Sequence, residues 1–202
     1  MLRAIRPWTA TWSFLRAIAI IALLSSSVAP SALAKSVLPD DINSSGYVLL
    51  IRHAYAPGNG DPDDFKLRNC STQRNLNQQG REQALKIGEF LKAQNVIAPE
   101  VYSSQWCRCL ETAKHMDIAP VIDLSGLNSF YDYPEQKEPN MRNLRAFLAK
   151  RPTSGPLTIL VTHFVTIAEL VDVGVSSGEG VLISSRANGS KVVSRLDFGF
   201  AL

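Results

Sequence analysis

Short, continuously apolar segments alternate along the chain with longer segments whose apolar residues recur at helical spacing. Residues 47–52 and 157–162 are the clearest apolar segments, and their length indicates strands that are buried on both faces. The apolar positions between residues 84 and 93 lie on one face of a helix that Asn77 can cap and that runs to about Gln94. This alternation of strands and helices predicts an α/β fold.

The other predicted elements extend the alternation. The predicted strands cover residues 47–52, 99–102, 120–124, 157–162, 180–185 and 191–197, and the predicted helices cover residues 78–94, 105–116, 140–150 and 164–171. Ser103 and Ser104 are expected to cap the second helix, and Asn188 with Gly189 is expected to join the last two strands as a hairpin. The predicted fold is a single three-layer α/β domain with a mostly parallel central sheet, helices on both faces and an antiparallel edge.

Two segments show neither pattern. Residues 55–70 contain two prolines and two glycines, and residues 125–140 are rich in aromatic residues and proline. Long loops in a compact domain are usually functional. We therefore expect both segments to line a pocket and to set its specificity.

The first 34 residues differ in composition from the rest of the chain. They contain Arg3, Arg6 and Arg16 but no acidic residue, then an apolar run over residues 14–24, and they end in the small-residue sequence that closes at Ala34. This order is that of a secretory signal peptide, so we predict cleavage after Ala34. The apolar run is too short to span a bilayer permanently, although an uncleaved membrane anchor is the alternative.

The predicted domain organisation is therefore a signal peptide at 1–34, a linker at 35–46 and one domain at 47–202. The chain has 21 basic and 18 acidic residues, and removing the three leader arginines leaves 18 of each. Nucleic-acid binding needs a clustered basic face, so no nucleic-acid partner is expected. The mature protein is expected to be periplasmic or secreted, without a stable membrane span, and its oligomeric state stays open.

The three cysteines are Cys70, Cys107 and Cys109. In an oxidising compartment, one disulfide with one remaining thiol is expected. Cys107 and Cys109 are too close on one helix to pair readily, so Cys70 would pair with one of them. Three partly buried thiols are the alternative. The sequence has no Cys-x-x-Cys pair, so a structural zinc site is not expected.

Two of the predicted strands end in a histidine. Arg52 is the last residue of the first strand and His53 follows it, and His163 follows the fourth strand. Arg108 lies four residues after Ser104, one turn into the second helix, and can point back over the same edge of the sheet. Ligands bind at the carboxyl edge of such sheets, so these side chains are expected to surround one site. Arginine binds phosphate oxygens and a neutral histidine is a competent nucleophile, which predicts a phosphoryl site with a covalent phosphohistidine.

The chain resembles the histidine phosphatase superfamily, the proteins with the phosphoglycerate-mutase-like fold. Residues 50–54 resemble the family's Arg-His-Gly signature, and residues 75–84 resemble its Leu-Thr-x-x-Gly-x-x-Gln-Ala helix entry. Residues 102–113 resemble its Ser-Ser-x-x-x-Arg-x-x-x-Thr-Ala helix start, and residues 161–163 resemble its second-histidine motif. The four motifs occur in the family's order and cover about residues 47–170.

The resemblance implies a role for each of these residues. His53 would be the nucleophile, Arg52 and Arg108 would bind the phosphoryl oxygens, and His163 would stabilise the transition state. These four groups supply charge and positioning by themselves, so neither a metal nor another cofactor is expected. Arg74, which lies just before the first helix, is a further candidate for substrate binding.

Three features depart from the family pattern. Ala54 replaces the usual glycine, and its Cβ could crowd the substrate. Phe164 follows the second histidine, where phytase-like acid phosphatases carry a proton-donating aspartate. No spacing identifies the general acid of the mutase-like members, for which the candidates are Asp123, Asp132, Glu135 and Glu138.

The remaining aromatic and histidine side chains have simpler interpretations. His115 lies near the end of a predicted helix, where its positive form would favour the helix dipole, and is expected to be structural. Trp106, Tyr131 and Tyr133 are expected to pack in the core or at a rim rather than to stack on a substrate ring.

The function predicted from these residues is that of an exported phosphomonoester phosphatase with a small phosphorylated substrate, for which cell-envelope sugar phosphates fit the compartment. A mutase is not favoured, because an exported enzyme would be poorly supplied with phosphorylated metabolites. A non-catalytic phosphate- or sugar-phosphate-binding protein on the same fold is the alternative. A metal site of His53 and His163 with Asp61 or Asp63 is disfavoured, because two arginines would repel the cation.

Overall fold

A computed structural model describes Met1, residues 38–186 and residues 189–198. The strands are β1 Tyr47–Arg52, β2 Val101–Ser103, β3 Val121–Asp123, β4 Thr158–Thr162, β5 Gly180–Arg186 and β6 Gly189–Leu196. The helices are α1 Gln78–Ala93, α2 Cys107–Met116, α3 Lys137–Ala149 and α4 Phe164–Val171, and short 3₁₀ turns cover Cys70–Thr72, Ser125–Leu127 and Pro134–Gln136. Each predicted strand and helix is present, with shifts of at most three residues at the ends.

The strands form one mixed sheet in the order β3-β2-β4-β1-β5-β6. Strands β3, β2, β4 and β1 are parallel, whereas β5 and β6 pair antiparallel at one side. The register of β1 on β4 places Arg52 opposite Thr162, so the residues that follow the two strands meet at one edge. The predicted α/β architecture with its antiparallel edge is therefore confirmed. Asn188 of the predicted hairpin turn lies outside the described residues.

The sheet carries helices on both faces, which makes the domain three-layered. On one face, Leu49 and Ile51 of β1 pack with side chains of α1 and α2. On the other face, Val48 and Leu50 pack with side chains of α3 and α4. Successive side chains of a strand point to opposite faces, which explains why β1 is apolar at every one of these positions. Gly88 lets α1 approach α2, because a Cβ there would lie 1.9 Å from the carbonyl oxygen of Met116.

The described part of the predicted linker is packed onto the domain. Leu38 and Ile42 are 6% and 4% exposed and belong to the same apolar cluster as Leu49. The backbone N–H of Gly46 also donates to the carbonyl of Gly155 at 3.0 Å. The predicted signal peptide, its cleavage site and residues 35–37 lie outside the described residues, apart from Met1.

Two helix starts differ from the prediction. The second helix was expected at Gln105 with a serine cap, but α2 begins at Cys107 after Trp106, which makes no capping hydrogen bond through its side chain. The third helix begins at Lys137 rather than at Asn140, so Pro139 lies inside its first turn. Proline is tolerated there, because the backbone N–H groups of a first turn have no acceptor within the helix.

Within residues 38–186 and 189–198, none of the helices combines the length and apolar character needed to cross a bilayer.

Candidate active site

Two buried histidines lie side by side where β1 and β4 end. His53 and His163 are each 2% exposed, and their ring centroids are 5.5 Å apart. The parallel pairing of the two strands brings these residues together, although they are 110 positions apart in the chain. The expectation that the two strand ends form one site is thus met in the geometry.

A cavity of about 210 Å³ opens above the two histidines. Its lining residues are Arg52, His53, Gly58, Asn59, Gly60, Arg74, Arg108, Ser129, Tyr131, Asp132, His163 and Phe164. All five residues predicted to act on or bind the substrate are in this set, together with residues from both segments, 55–70 and 125–140, that were expected to line a pocket.

The environment of His53 defines which ring nitrogen is free. Its Nδ1 lies 2.8 Å from the carbonyl oxygen of Ala54. A carbonyl can only accept, so Nδ1 carries the proton and Nε2 keeps a lone pair. Burial, reinforced by the positive charge of Arg108, lowers the pKa of His53 well below its usual value. The ring is therefore neutral at physiological pH, the state that a nucleophile requires.

Ala54 does not crowd the cavity. Its side chain is fully buried in a small apolar cluster with Ala56, Leu76 and Ala84, and it is not among the lining residues. Its backbone N–H donates to Oγ1 of Thr112 at 2.9 Å, which ties the turn after β1 to helix α2. The methyl group of Ala54, which stands where the family has glycine, therefore packs in the core and not in the cavity.

His163 is held by a network that the sequence did not reveal. Its Nε2 lies 2.9 Å from Oγ of Ser104 and 3.4 Å from Sγ of Cys109. The Ser104 hydroxyl donates in turn to Oδ1 of Asn128 at 3.2 Å. Burial and the charge of Arg108 lower the pKa of His163 well below its usual value. Ser104, predicted as a helix cap, therefore orients the second histidine.

Arg108 is bound by a buried carboxylate that the sequence had suggested only as a metal ligand. Its Nη1 donates to the two oxygens of Asp61 at 2.8 and 3.0 Å, and both side chains are at most 4% exposed. Asp61 also accepts from Nε1 of Trp106 at 2.9 Å and from the backbone N–H of Arg74 at 3.0 Å. Burial alone would raise the pKa of Asp61, but the hydrogen bond and charge of Arg108 bring it below its usual value.

The other two arginines are also anchored by the protein. Arg52 donates through Nη1 to the carbonyl of Val175 at 2.9 Å, and its guanidinium lies 5.1 Å from the ring centroid of Phe164. Arg74 donates through Nε to the carbonyl of Gly60 at 2.8 Å and through Nη1 to Ala56. Burial lowers the pKa of both groups, and Arg108 lowers it further, but guanidinium groups remain charged in proteins.

The site carries a net positive charge. Three guanidinium groups and one buried carboxylate surround two neutral histidines, which gives a formal charge of +2. Among the described residues, the buried Nε atoms of Arg52 and Arg108 have no protein acceptor. Charge and free donors together suit a doubly negative group with several oxygens, such as a phosphate.

Of the four general-acid candidates, the structure brings Asp132 to the cavity. Asp123 instead accepts from Nη2 of Arg68 and Nε2 of Gln105, both at 2.7 Å. Glu135 and Glu138 are exposed and do not line the cavity. No group of three or more His, Cys, Asp and Glu side chains suited to a metal ion occurs within the part of the chain that the structure describes.

The cysteines and aromatic residues near the site follow the sequence expectations in part. Cys70 and Cys107 form a disulfide, one of the two predicted pairings, and Cys109 is a buried free thiol.

Trp106 and Tyr133 pack against Phe65, as expected of core or rim residues. Tyr131 lies at the rim of the cavity, where it is 52% exposed and contacts Phe164.

Residues 48–131 match the model of the histidine phosphatase superfamily (branch 1). No curated protein sequence matches the chain. Solved structures share its fold, as three examples show.

A mutant phosphoserine phosphatase from Entamoeba histolytica in complex with phosphoserine is 14% identical with a TM-score of 0.55, and the match covers 76% of this chain and 98% of that chain. A mycobacterial glucosyl-3-phosphoglycerate phosphatase complexed with VO3 is 16% identical with a TM-score of 0.52, over 73% and 97% of the two chains. The protein histidine phosphatase SixA complexed with tungstate is 14% identical with a TM-score of 0.52, over 75% and 97%.

At these identities the solved structures establish a common fold, while the family model covers the first strand, the first histidine and the start of α2. The second histidine, His163, lies outside the matched residues and is beside the first in the structure. The chain therefore resembles the histidine phosphatase superfamily, in sequence over residues 48–131 and in fold over about three quarters of its length.

Proposed function

We propose that the protein is a phosphomonoester phosphatase that works through a phosphohistidine on His53. The observation that carries the proposal is the free Nε2 of a neutral, buried His53 in a cavity lined by three arginines. Phosphoryl transfer needs mainly positioning and charge stabilisation, and this site can supply both.

In the first step, Nε2 of His53 attacks phosphorus while the bond from phosphorus to the ester oxygen breaks. The leaving oxygen takes the bonding electrons and a proton, which solvent water supplies here and which the attacking water of the second step returns to the solvent. Arg52 and Arg108 hold the phosphoryl oxygens, Arg74 adds a hydrogen-bond donor beside them, and the ring of His163 lies against His53. The carbonyl of Ala54 stabilises the ring as it becomes positive, because it accepts from Nδ1.

In the second step, water attacks the phosphohistidine. The new oxygen–phosphorus bond forms as the nitrogen–phosphorus bond breaks, and the electrons of that bond return to Nε2 of His53. The sum is one ester and one water converted to one alcohol and one inorganic phosphate, with the enzyme unchanged. Both steps rely on the charge of the arginines, so we propose that the reaction is metal-independent.

The direct test is phosphate release from p-nitrophenyl phosphate by the chain that begins at Lys35, in the presence of a chelator. His53→Ala is expected to lower kcat by at least about 1000-fold, because no other described nitrogen occupies its position. His115→Ala is the matched control, since His115 is a half-exposed neighbour of Glu111 outside the cavity and its loss should leave the rate within about twofold. A His53→Ala variant that keeps full activity would contradict the mechanism.

A non-catalytic phosphate-binding protein is the second candidate. It is favoured by one observation. Of the four candidate general acids only Asp132 lines the cavity, and it is exposed at the rim rather than held at the buried base. This candidate predicts saturable binding of inorganic phosphate by titration calorimetry without turnover of any ester in a sugar-phosphate and aryl-phosphate panel. Turnover that depends on His53 would exclude it.

We also propose that the protein is exported to the periplasm or secreted. The composition of residues 1–34 supports this, and so does the Cys70–Cys107 disulfide, because disulfides persist in oxidising compartments. N-terminal sequencing of the protein from fractionated cells should give a chain that starts at Lys35 in the periplasmic or extracellular fraction. A chain that keeps Met1 and stays in the cytosol would contradict export.

A further inference from the structure

The cavity changes in character from its base to its rim. At the base, His53, His163 and Arg108 are each at most 3% exposed. At the rim, Tyr131 and Phe164 are 52% and 37% exposed, and their ring centroids are 5.6 Å apart. A phosphate bound at the base would therefore place the rest of its ester beside two accessible aromatic rings.

The two rings are held in place by the protein. Phe164 is the first residue of α4, and the guanidinium of Arg52 lies 5.1 Å from its ring centroid. The backbone N–H of Tyr131 donates to Oγ of Ser129 at 3.2 Å, and Tyr131 contacts the ring of Phe164 at an angle of 59°. Exposed aromatic surface that is fixed at the mouth of a cavity is typical of a ligand-contacting wall.

The charge of the cavity also changes with depth. Arg52, Arg74 and Arg108 together with Asp61 carry a formal charge of +2, which a phosphate dianion balances. The rim contributes Asp132 as a carboxylate and Asn59 as a neutral polar side chain. Lys137, the basic residue that begins the helix after this segment, is paired with Glu169 at 2.8 Å. With the three arginines engaged by the phosphate, a second negative charge on the ester would meet the carboxylate of Asp132 at the rim.

We propose that the substrate is a phosphomonoester of an uncharged, ring-bearing leaving group, whose flat face packs against Tyr131 and Phe164. This proposal rests on the proposed phosphatase function and adds the chemical class of the leaving group. Asp132 acts as a specificity residue that disfavours esters with an additional carboxylate.

The test compares two aryl esters that differ mainly in charge. The wild-type chain is expected to hydrolyse 4-carbamoylphenyl phosphate about fivefold faster, by kcat/KM, than 4-carboxyphenyl phosphate, because exposed like charges repel modestly. Asp132→Asn should bring the ratio of the two esters close to one. A ratio that stays at fivefold in Asp132→Asn, or a wild-type preference for the carboxylate ester, would overturn the role of Asp132.

The aromatic wall is tested with a ring-free ester as reference. Tyr131→Ala should lower kcat/KM for 4-carbamoylphenyl phosphate about tenfold, and for glycerol 3-phosphate by less than twofold, with each substrate compared with its own wild-type value. Tyr131→Leu keeps apolar bulk, so its kcat/KM for the aryl ester should lie between the values of the wild type and Tyr131→Ala. Equal losses for both esters would overturn the ring contact while leaving the phosphatase intact. Absence of His53-dependent turnover for every ester would instead overturn the proposed function itself.

Discussion

Asp61 shows how one buried residue controls the geometry of the candidate site. Its carboxylate bridges Arg108, the indole of Trp106 and the backbone of Arg74. Removing one partner of a buried ion pair costs about 3–5 kcal/mol, because the other charge is left unpaired. Asp61→Asn should therefore lower the free energy of unfolding by about 3 kcal/mol, measured by urea denaturation without phosphate. Added phosphate should stabilise this variant more than the wild type, because it supplies negative charge beside Arg108.

Asp123→Asn is the matched control for that measurement. Asp123 is also paired with an arginine, but the side chains of Asp123 and Arg68 are 41% and 68% exposed. Exposed pairs contribute at most about 1 kcal/mol, so the stability of this variant should change by less than that. Equal losses in the two variants would show that Arg108 does not depend on a buried partner.

The two site histidines make the stability depend on pH. Burial, followed by the charge of Arg108, holds the pKa of His53 and of His163 well below the usual value. Below about pH 6.5 the unfolded chain binds protons that the folded state does not, so stability is lost as the pH falls. Each histidine adds a slope of up to about 1.4 kcal/mol per pH unit. Urea denaturation between pH 7 and pH 5 should show this loss, and His163→Gln should reduce the slope.

At the scale of elements, the disulfide joins the loop after β1 to the first residue of α2. Cys70 and Cys107 are 37 residues apart, and Arg108 follows directly in the helix. Closing a loop of this length stabilises a protein by about 3–4 kcal/mol in the chain-entropy model. Cys70→Ser is expected to lower the free energy of unfolding by about that amount and to raise KM for phosphate esters, because the loop also carries Asp61. Parallel denaturation and kinetic assays of this variant measure both effects.

The remaining cysteine, Cys109, allows a separate test of how tightly the region around His163 is packed. Cys109 is fully buried, and burial raises its pKa to about 12, against the effect of Arg108. Thiols react as thiolates, so Cys109 should resist alkylation at pH 8 in the folded protein and react only after denaturation. Rapid alkylation of the folded wild type would mean that the region around His163 opens readily.

At the scale of the whole molecule, the domain extends before its first strand. Ile42 is 4% exposed and packs in the cluster that lies between the sheet and helices α1 and α2. Ile42→Ala should lower the free energy of unfolding by about 2–4 kcal/mol in thermal or urea denaturation. Ile97→Ala is the matched control, because Ile97 is 62% exposed and its loss should cost less than about 0.5 kcal/mol. An Ile42→Ala variant as stable as Ile97→Ala would instead identify residues 38–46 as a linker.

The order of the strands and helices could be predicted from the sequence alone, and so could the residues that line the candidate site. These features depend on local patterns, because continuous apolar segments form buried strands and parallel strands bring the residues after them to one edge. Arg52, His53 and His163 could therefore be predicted from their places after two strands, and Arg108 from its place in a helix. The resemblance to a family added the role of each residue.

The contacts that hold those residues in place depend on the tertiary structure. Asp61 contacts Arg108 across 47 positions, and Ser104 contacts His163 across 59. The pairing of Cys70 with Cys107 rather than Cys109 depends on how loops fold over the sheet, and so does the position of Asp132, alone among the candidate acids, in the cavity lining. Loop conformation is set by long-range packing and hydrogen bonds rather than by local periodicity, so no pattern in the sequence specifies these contacts.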